Sequence, residues 1–250
     1  MKTLAPGTTT TSLALAVVCG AASALAAIPP IPNRDFREGD QAPAAWKLVG
    51  NGRWVDREVL EVTGTGSDSS YWRCDYRFEP ARLYRFRVRA RRLSGSGIAV
   101  TGPVFANRDV YRLSKDWQWA ESLFRVPDRL FETYLRLGQW HATGAIQFDS
   151  VALTPVLAVH RRIGPLVLGE GESIHEGEYL FSANFDHRGG NYHRPLFWAD
   201  AWFNSNRWLF GRGTRIVYRF ALPGCRFVRG DVDLSVNYHS RGRCRLEVSR

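Results

Sequence analysis

Lysine is almost missing from this chain: three of its 34 basic residues are Lys (Lys2, Lys47 and Lys115), and the rest are arginine. A skew that large has the look of genome composition. The formal charge of +10 is therefore read as a solvated balance and not as a footprint for nucleic acid, the more so because basic residues alternate with acids and no nucleic-acid-binding module is present. Long helical periodicity is missing too, which removes helical bundles. No apolar run approaches the ~20 residues that span a bilayer, so no membrane insertion is expected. Enzymatic signatures are lacking: there is no H-E-x-x-H, no G-x-S-x-G and no P-loop, and Gly95-Ser96-Gly97 and Gly211-Arg212-Gly213 are turns without the flanking elements such motifs need. A glycosidase would need two carboxylates across a cleft, and none of the 24 acids stands out as half of such a pair. Cysteine is scarce. With Cys19 in the leader, Cys74, Cys225 and Cys244 remain, and no pair has zinc-ligand spacing. Cys225 and Cys244 lie on segments that read as neighbouring strands, and an exported protein permits a disulfide between them. Cys74 falls in a core-facing register and reads as a small buried hydrophobe.

What is present is export chemistry followed by β-patterning. Residues 1–26 have a basic start at Lys2, an apolar stretch from Leu13 to Val18, and Ala24-Leu25-Ala26, the shape of a cleaved signal peptide; a secreted or extracytoplasmic protein is expected. With 44% hydrophobic residues, 13% aromatics and scattered Gly and Pro turn signals, the rest fits an all-β protein with packed cores. The stretch 71–93 alternates most cleanly. Trp72, Cys74, Tyr76 and Phe78 share one side, as do Tyr84, Phe86, Val88 and Ala90, while Arg85, Arg87, Arg89 and Arg91 line the opposite side. Glu79-Pro80-Ala81-Arg82 reads as a tight turn, so a hairpin of an antiparallel sandwich is expected. Further strands are expected around Val59–Val62, Ile98–Thr101, 117–126, Tyr134–Leu137 and Ala145–Leu153.

On these residues a resemblance rests. The opening Asn33, Asp35, Phe36, Glu38, Gly39, Pro43 and Trp46, then Leu60-Glu61-Val62, Tyr84-Arg85-Phe86, Trp117 through Pro127, and the ending from Gly144 to Leu153 with Phe148-Asp149 resemble, in order and spacing, the galactose-binding-like carbohydrate-binding modules of secreted bacterial cellulases and xylanases. The resemblance covers about half the chain. It implies a jelly-roll β-sandwich over 33–155, closed by pairing its first and last strands, and noncatalytic binding of a polysaccharide or glycan. It implies no required cofactor, with a structural calcium near that closure as a common feature of the family. Asp149 keeps the position of one calcium ligand, whereas Arg37 stands where the family's other acid would be, leaving Glu38 or Asp35 to supply it. A linker over 156–165 would precede a second, partial galactose-binding-like sandwich over 166–250, with strands at Leu166–Leu168, Tyr179–Ser182, Arg215–Leu222, Asp231–Tyr238 and Arg243–Ser249. Asn204 to Phe210 and the ending Leu246-Glu247-Val248-Ser249 resemble that second type of domain, and further domains of a longer protein are expected as partners. The fold class expected is thus tandem antiparallel jelly-roll β-sandwiches.

Sugar rings present apolar C–H faces that pack on aromatic side chains while polar groups bond the hydroxyls. The aromatics near loops or opposite the core, Trp54, Tyr71, Tyr111, Trp117, Trp119 and Trp140, are the candidate ligand contacts, with Arg73, Arg85 and Arg87 beside them. Each aromatic has an alternative place in the core or at a strand end. The arginines would read an anionic sugar, or else form cross-strand pairs with Glu61, Asp75 and Glu79. His187, His193 and Asp186 could hold a metal but match no standard spacing, so a polar surface loop is expected there. The other functions these features allow are a structural or protein-interaction module without a sugar site, and a glycoside hydrolase.

Overall fold

The structure, a computed structural model, describes residues 28–185 and 190–248, and every regular element in them is a strand. The signal segment, Asp186 and His187 lie outside the described residues. Two sheets face one another. The first has seven strands, in the order β1 (Trp46–Val49), β4 (Ser69–Asp75), β9 (Tyr134–Trp140), β6 (Ile98–Pro103), β7 (Ala106–Val110), β16 (Trp202–Asn204) and β17 (Arg207–Leu209). The second has five, in the order β2 (Gly52–Val55), β3 (Val59–Thr65), β10 (Thr143–Pro155), β5 (Leu83–Arg92) and β8 (Gln118–Arg125). Alternation explains the core: Trp72, Cys74, Leu135 and Leu137 from one sheet and Leu60, Phe86, Val88, Phe124, Ile146 and Phe148 from the other are all buried in one cluster. The Trp72 indole N–H reaches across to the Glu61 carbonyl at 3.1 Å, so its polar edge is satisfied inside.

Over residues 33–155 the expected strands form, but two expected pairings do not. β4 and β5 are not a hairpin: β4 pairs with β1 and β9, whereas β5 pairs with β10 and β8 in the opposite sheet. Residues 76–82 cross the sandwich, pinned where Ala81, at φ 60°, donates its N–H to the Val126 carbonyl. A hairpin would turn both apolar stripes to the same side of one sheet. The crossing sets each stripe against the other, which buries both. Nor does the last strand pair with the first, because β10 lies in the middle of its sheet between β3 and β5, bulged between Phe148 and Ser150.

The opening motif closes the domain by other means. Asn33, buried and at φ 46°, donates to the Glu38 carbonyl at 2.8 Å and the Ala44 carbonyl at 3.0 Å, and accepts from the Glu38 N–H at 2.9 Å. Phe36 is fully buried with its ring edge-on to Trp46 at 5.2 Å, and Val151 N–H reaches the Arg34 carbonyl at 2.9 Å.

Beyond residue 155 the described residues form ribbons: β11 (Arg161–Ile163) with β12 (Leu166–Leu168), β13 (Glu172–His175) with β14 (Glu178–Phe181), and β15 (Leu196–Ala199) with β18 (Ile216–Tyr218). The stretch Asn204 to Leu209, expected in a second sandwich, instead extends the first, since β16 runs parallel to β7 and Phe203 joins the core cluster. The strand expected over Asp231–Tyr238 is not formed among the described residues, nor is one over 243–248; Val232, Leu234, Val236 and Tyr238 are exposed. Cys225 and Cys244 are accordingly free and exposed, in place of the expected disulfide, because the paired strands that would set them side by side are not there. Cys74 is buried, and burial pushes its thiol up to about 12. No helix among the described residues is long and apolar enough to cross a membrane.

Candidate functional site

The crossing at 76–82 splits the candidate residues between two outward faces. Arg85, Arg87, Trp117 and Trp119 stand on the five-stranded sheet, and there each group is already engaged. Glu121 takes Arg85 at 3.3 Å and Arg87 at 3.6 Å, Asp149 takes Arg89 at 2.9 Å, and the Gln147 amide oxygen accepts from Arg91 at 2.8 Å. Guanidinium groups also cover the indoles, with Arg87 over Trp119 at 4.4 Å and Arg91 over Trp117 at 4.4 Å. The arginine ladder is a cross-strand pairing device. Trp54 belongs to neither face: it packs on the core and donates its indole N–H to the Phe36 carbonyl at 2.8 Å.

Tyr71, Arg73, Tyr111 and Trp140 gather on or beside the outward face of the seven-stranded sheet. Register sorts that face into rows running across the strands. One row is apolar: Trp140 pairs with Ile98, and Tyr111 follows directly after β7; Trp140 and Tyr111 keep 50% and 47% of their surface exposed. The next row is low. Tyr71 stands opposite Gly138, Gly138 opposite Val100, and Val100 opposite Asp109, with Gly138 and Val100 buried. A Cβ at Gly138 would lie 2.3 Å from the Tyr71 Cβ, so only glycine leaves this floor open. The third row is basic: Lys47 pairs with Arg73, Arg73 with Arg136, and Arg136 with Gly102, where a Cβ would lie 3.4 Å from the Ala106 carbonyl oxygen and 3.9 Å from the Asn107 Cα; Asn107 then pairs with Asn204 and Asn204 with Arg207.

Aromatic rings tie the rows together. Tyr71 and Tyr134 lie nearly parallel at 6.4 Å, with Arg136 over Tyr71 at 5.0 Å and Arg73 over Tyr134 at 4.1 Å. Arg73 donates to Asp75 at 2.8 Å and to Glu132 at 3.4 Å, and the Asp75 hydrogen bond raises its pKa. Burial lowers that of Arg136, whose Nε has no hydrogen-bond partner among the described residues. Tyr111 donates to Asp109 at 3.1 Å; burial first and the Asp109 charge second push its phenol up. Tyr134, Arg136, Asp109, Asn107, Asn204 and Arg207 were not singled out from sequence. The outward alternation Tyr134, Arg136, Gly138, Trp140 was the available signal, since it sets ring, fork, gap and ring at every second position.

The carboxylates expected to hold calcium do not converge. Asp149 is held by Arg89 and by the Ser150 hydroxyl at 2.8 Å, while Glu38 is exposed and its backbone ties the Asn33 loop. Among the described residues no group of three or more acidic, His or Cys side chains gathers. A cavity of about 340 Å³ lies away from both faces, bordered by Arg82, Arg125, His160, Tyr192, His193 and Arg194. Its arginines are paired, with Glu79, Asp128 and Glu172 respectively.

No family model matches the sequence, and no curated protein matches it. Among solved structures the chain is similar to a carbohydrate-binding module of family 4, at 21% identity over 50% of this chain and 99% of that one, with a TM-score of 0.40. It is also similar to the N-terminal cellulose-binding domain of Cellulomonas fimi β-1,4-glucanase C, at 14% identity over 53% of this chain and 100% of that one, TM-score 0.36. A third is a family 61 module solved with β-1,4-galactotriose, at 16% identity over 50% and 97%, TM-score 0.32.

Proposed function

We propose that the chain is a noncatalytic polysaccharide-binding protein and that the outward face of the seven-stranded sheet is its site. The observation that supports this is the row order: a floor opened by Gly138, walled on one side by Trp140 and Tyr111 and on the other by Arg73 and Arg136. A sugar ring needs an apolar plane on one side and hydrogen-bond donors on the other, and this arrangement offers both. The acids here are engaged, Asp75 and Glu132 by Arg73 and Asp109 by Tyr111, which favours holding the polymer over cleaving it. Holding an attached enzyme or a cell surface at its polymer is the role such binding would serve.

Affinity electrophoresis through gels containing soluble polysaccharides tests the site. Trp140→Ala and Tyr111→Ala are expected to weaken retention about 10-fold each, and Trp119→Ala, on the other sheet, to leave it unchanged. Retention lost equally in all three, or absent for every polysaccharide, would overturn the reading. Shortening of the polymer during the run would instead indicate a hydrolase.

A further inference from the structure

We infer that the polymer held on this face is acidic, a glycan bearing uronate groups, and that Arg136 is the anchor for its carboxylate; this rests on the site proposed above. The basic row sets Lys47, Arg73, Arg136 and Arg207 in one line across the sheet, with Asn107 and Asn204 completing it between Gly102 and Arg207. At about 4.8 Å between strands, Arg136 and Arg207 stand roughly 19 Å apart, far enough for the line to follow a chain and not a single ion.

What separates this row from the arginine ladder on the other sheet is its unused capacity. On the five-stranded sheet Arg53, Arg85, Arg87 and Arg89 each meet a carboxylate. Here Arg136 Nε and Arg207 Nε are buried and without hydrogen-bond partners, and so is Asn204 Oδ1. Those atoms are closed to solvent, but neither Arg136 nor Arg207 has a carboxylate at ion-pair distance among the described residues, and the part of each half-buried guanidinium that reaches solvent can meet a planar carboxylate, whose two oxygens match its donors. The Arg136 guanidinium rests over the Tyr71 ring, its Cζ 5.0 Å from the ring centroid, a contact that restrains it before a ligand arrives. The negative groups facing the row are Asp75 and Glu132, already joined to Arg73, and Asp109, which accepts from Tyr111. Asn107 and the Asn204 amide can take the hydroxyls between successive carboxylates.

The test uses the wild-type chain on polygalacturonate, alginate and glucuronoxylan, each beside the same polymer with its carboxylates methyl-esterified, and on neutral cellulose and glucan. At least one acidic polymer is expected to be retained about 10-fold or more tightly than its ester. Arg136→Gln is expected to abolish that preference and Arg136→Lys to restore only part of it, since an ammonium keeps the charge without the fork. Arg85→Gln, on the other sheet, should keep the preference intact. Equal retention of acid and ester overturns the inference, as does an equal loss in Arg85→Gln, which would mean unspecific charge attraction. Retention of neutral glycans alone overturns the inference and leaves the site standing. Silence on every polymer removes both. The comparison of acid with ester needs no variant, so a misfolded Arg136→Gln leaves the decision intact.

Discussion

Acidification should loosen this protein chiefly through one deeply buried imidazole before its carboxylates begin to titrate. His193 is buried, 7% exposed, between Phe181 and Phe185 with Tyr192 stacked on it, and burial holds its pKa down to about 4 against the weaker opposing pull of the Asn184 carbonyl and Glu172. In the unfolded chain an imidazole titrates near 6.5. The folded value is the lower one, so the stability contribution is fully present above ~6.5 and is lost as pH falls through the window down to about 4. A gap of about 2.5 units corresponds to a ceiling of roughly 3 kcal/mol, of which about 2 kcal/mol is gone by pH 5. His193→Phe keeps the ring and removes the proton site. Urea unfolding followed at pH 8, 6.5, 5.5 and 5 should show the wild type losing stability more steeply than His193→Phe, which keeps only the smaller slope of His160, whose pKa burial also lowers. Parallel pH dependences for the two proteins would refute the reasoning, because carboxylates such as Asp128 and Glu172, whose pKa values are lowered, lose their contribution further down the scale.

Three other outcomes follow from the closure and the thiols. Phe36→Ala, deleting a fully buried ring from its edge contact with Trp46, should cost about 3–5 kcal/mol and lower the Tm by roughly 10 °C in a melt; a drop of only a degree or two would mean the opening loop is not part of the cooperative unit. With Cys19 replaced by Ser, a thiol reagent should label Cys225 and Cys244 at once and Cys74 only after unfolding, and finding no fast thiol in protein purified from an oxidising compartment would restore the disulfide. Chelation with EDTA should leave the melting curve where it is, since Arg89 already neutralises Asp149; a clear downward shift would reinstate a structural calcium.

The two-residue alternation was readable because the side of a strand on which a residue falls depends only on its neighbours along the chain. Trp72, Cys74, Phe86 and Val88 all lie in the core as their spacing requires. Which sheet a strand joins is a different matter, decided by contacts distant in sequence. Nothing local in Glu79-Pro80-Ala81-Arg82 distinguishes a hairpin turn from a crossing; the Val126 carbonyl that receives the Ala81 N–H comes from 45 positions further on. The same holds for the site. Arg136 reads in sequence as one charge in a strand, and its meaning comes from Arg73 on β4, Gly102 on β6 and Arg207 on β17 standing in its row. Asn33, Phe36 and Trp46, among the residues that carried the family resemblance, build the closure. They report architecture, while the face proposed for a glycan is made of side chains that the resemblance did not single out.

The chain crossing at 76–82 gives the molecule a front and a back. Both sides display arginine and aromatic rings, but Arg85, Arg87 and Arg89 on the back are paired with carboxylates, whereas Arg136 and Arg207 on the front meet no carboxylate among the described residues. A molecule adsorbed on a polymer should therefore lie one way up. A fluorophore placed at Arg85 would stay in solvent and tumble freely, whereas one at Lys47 would be trapped against the fibre.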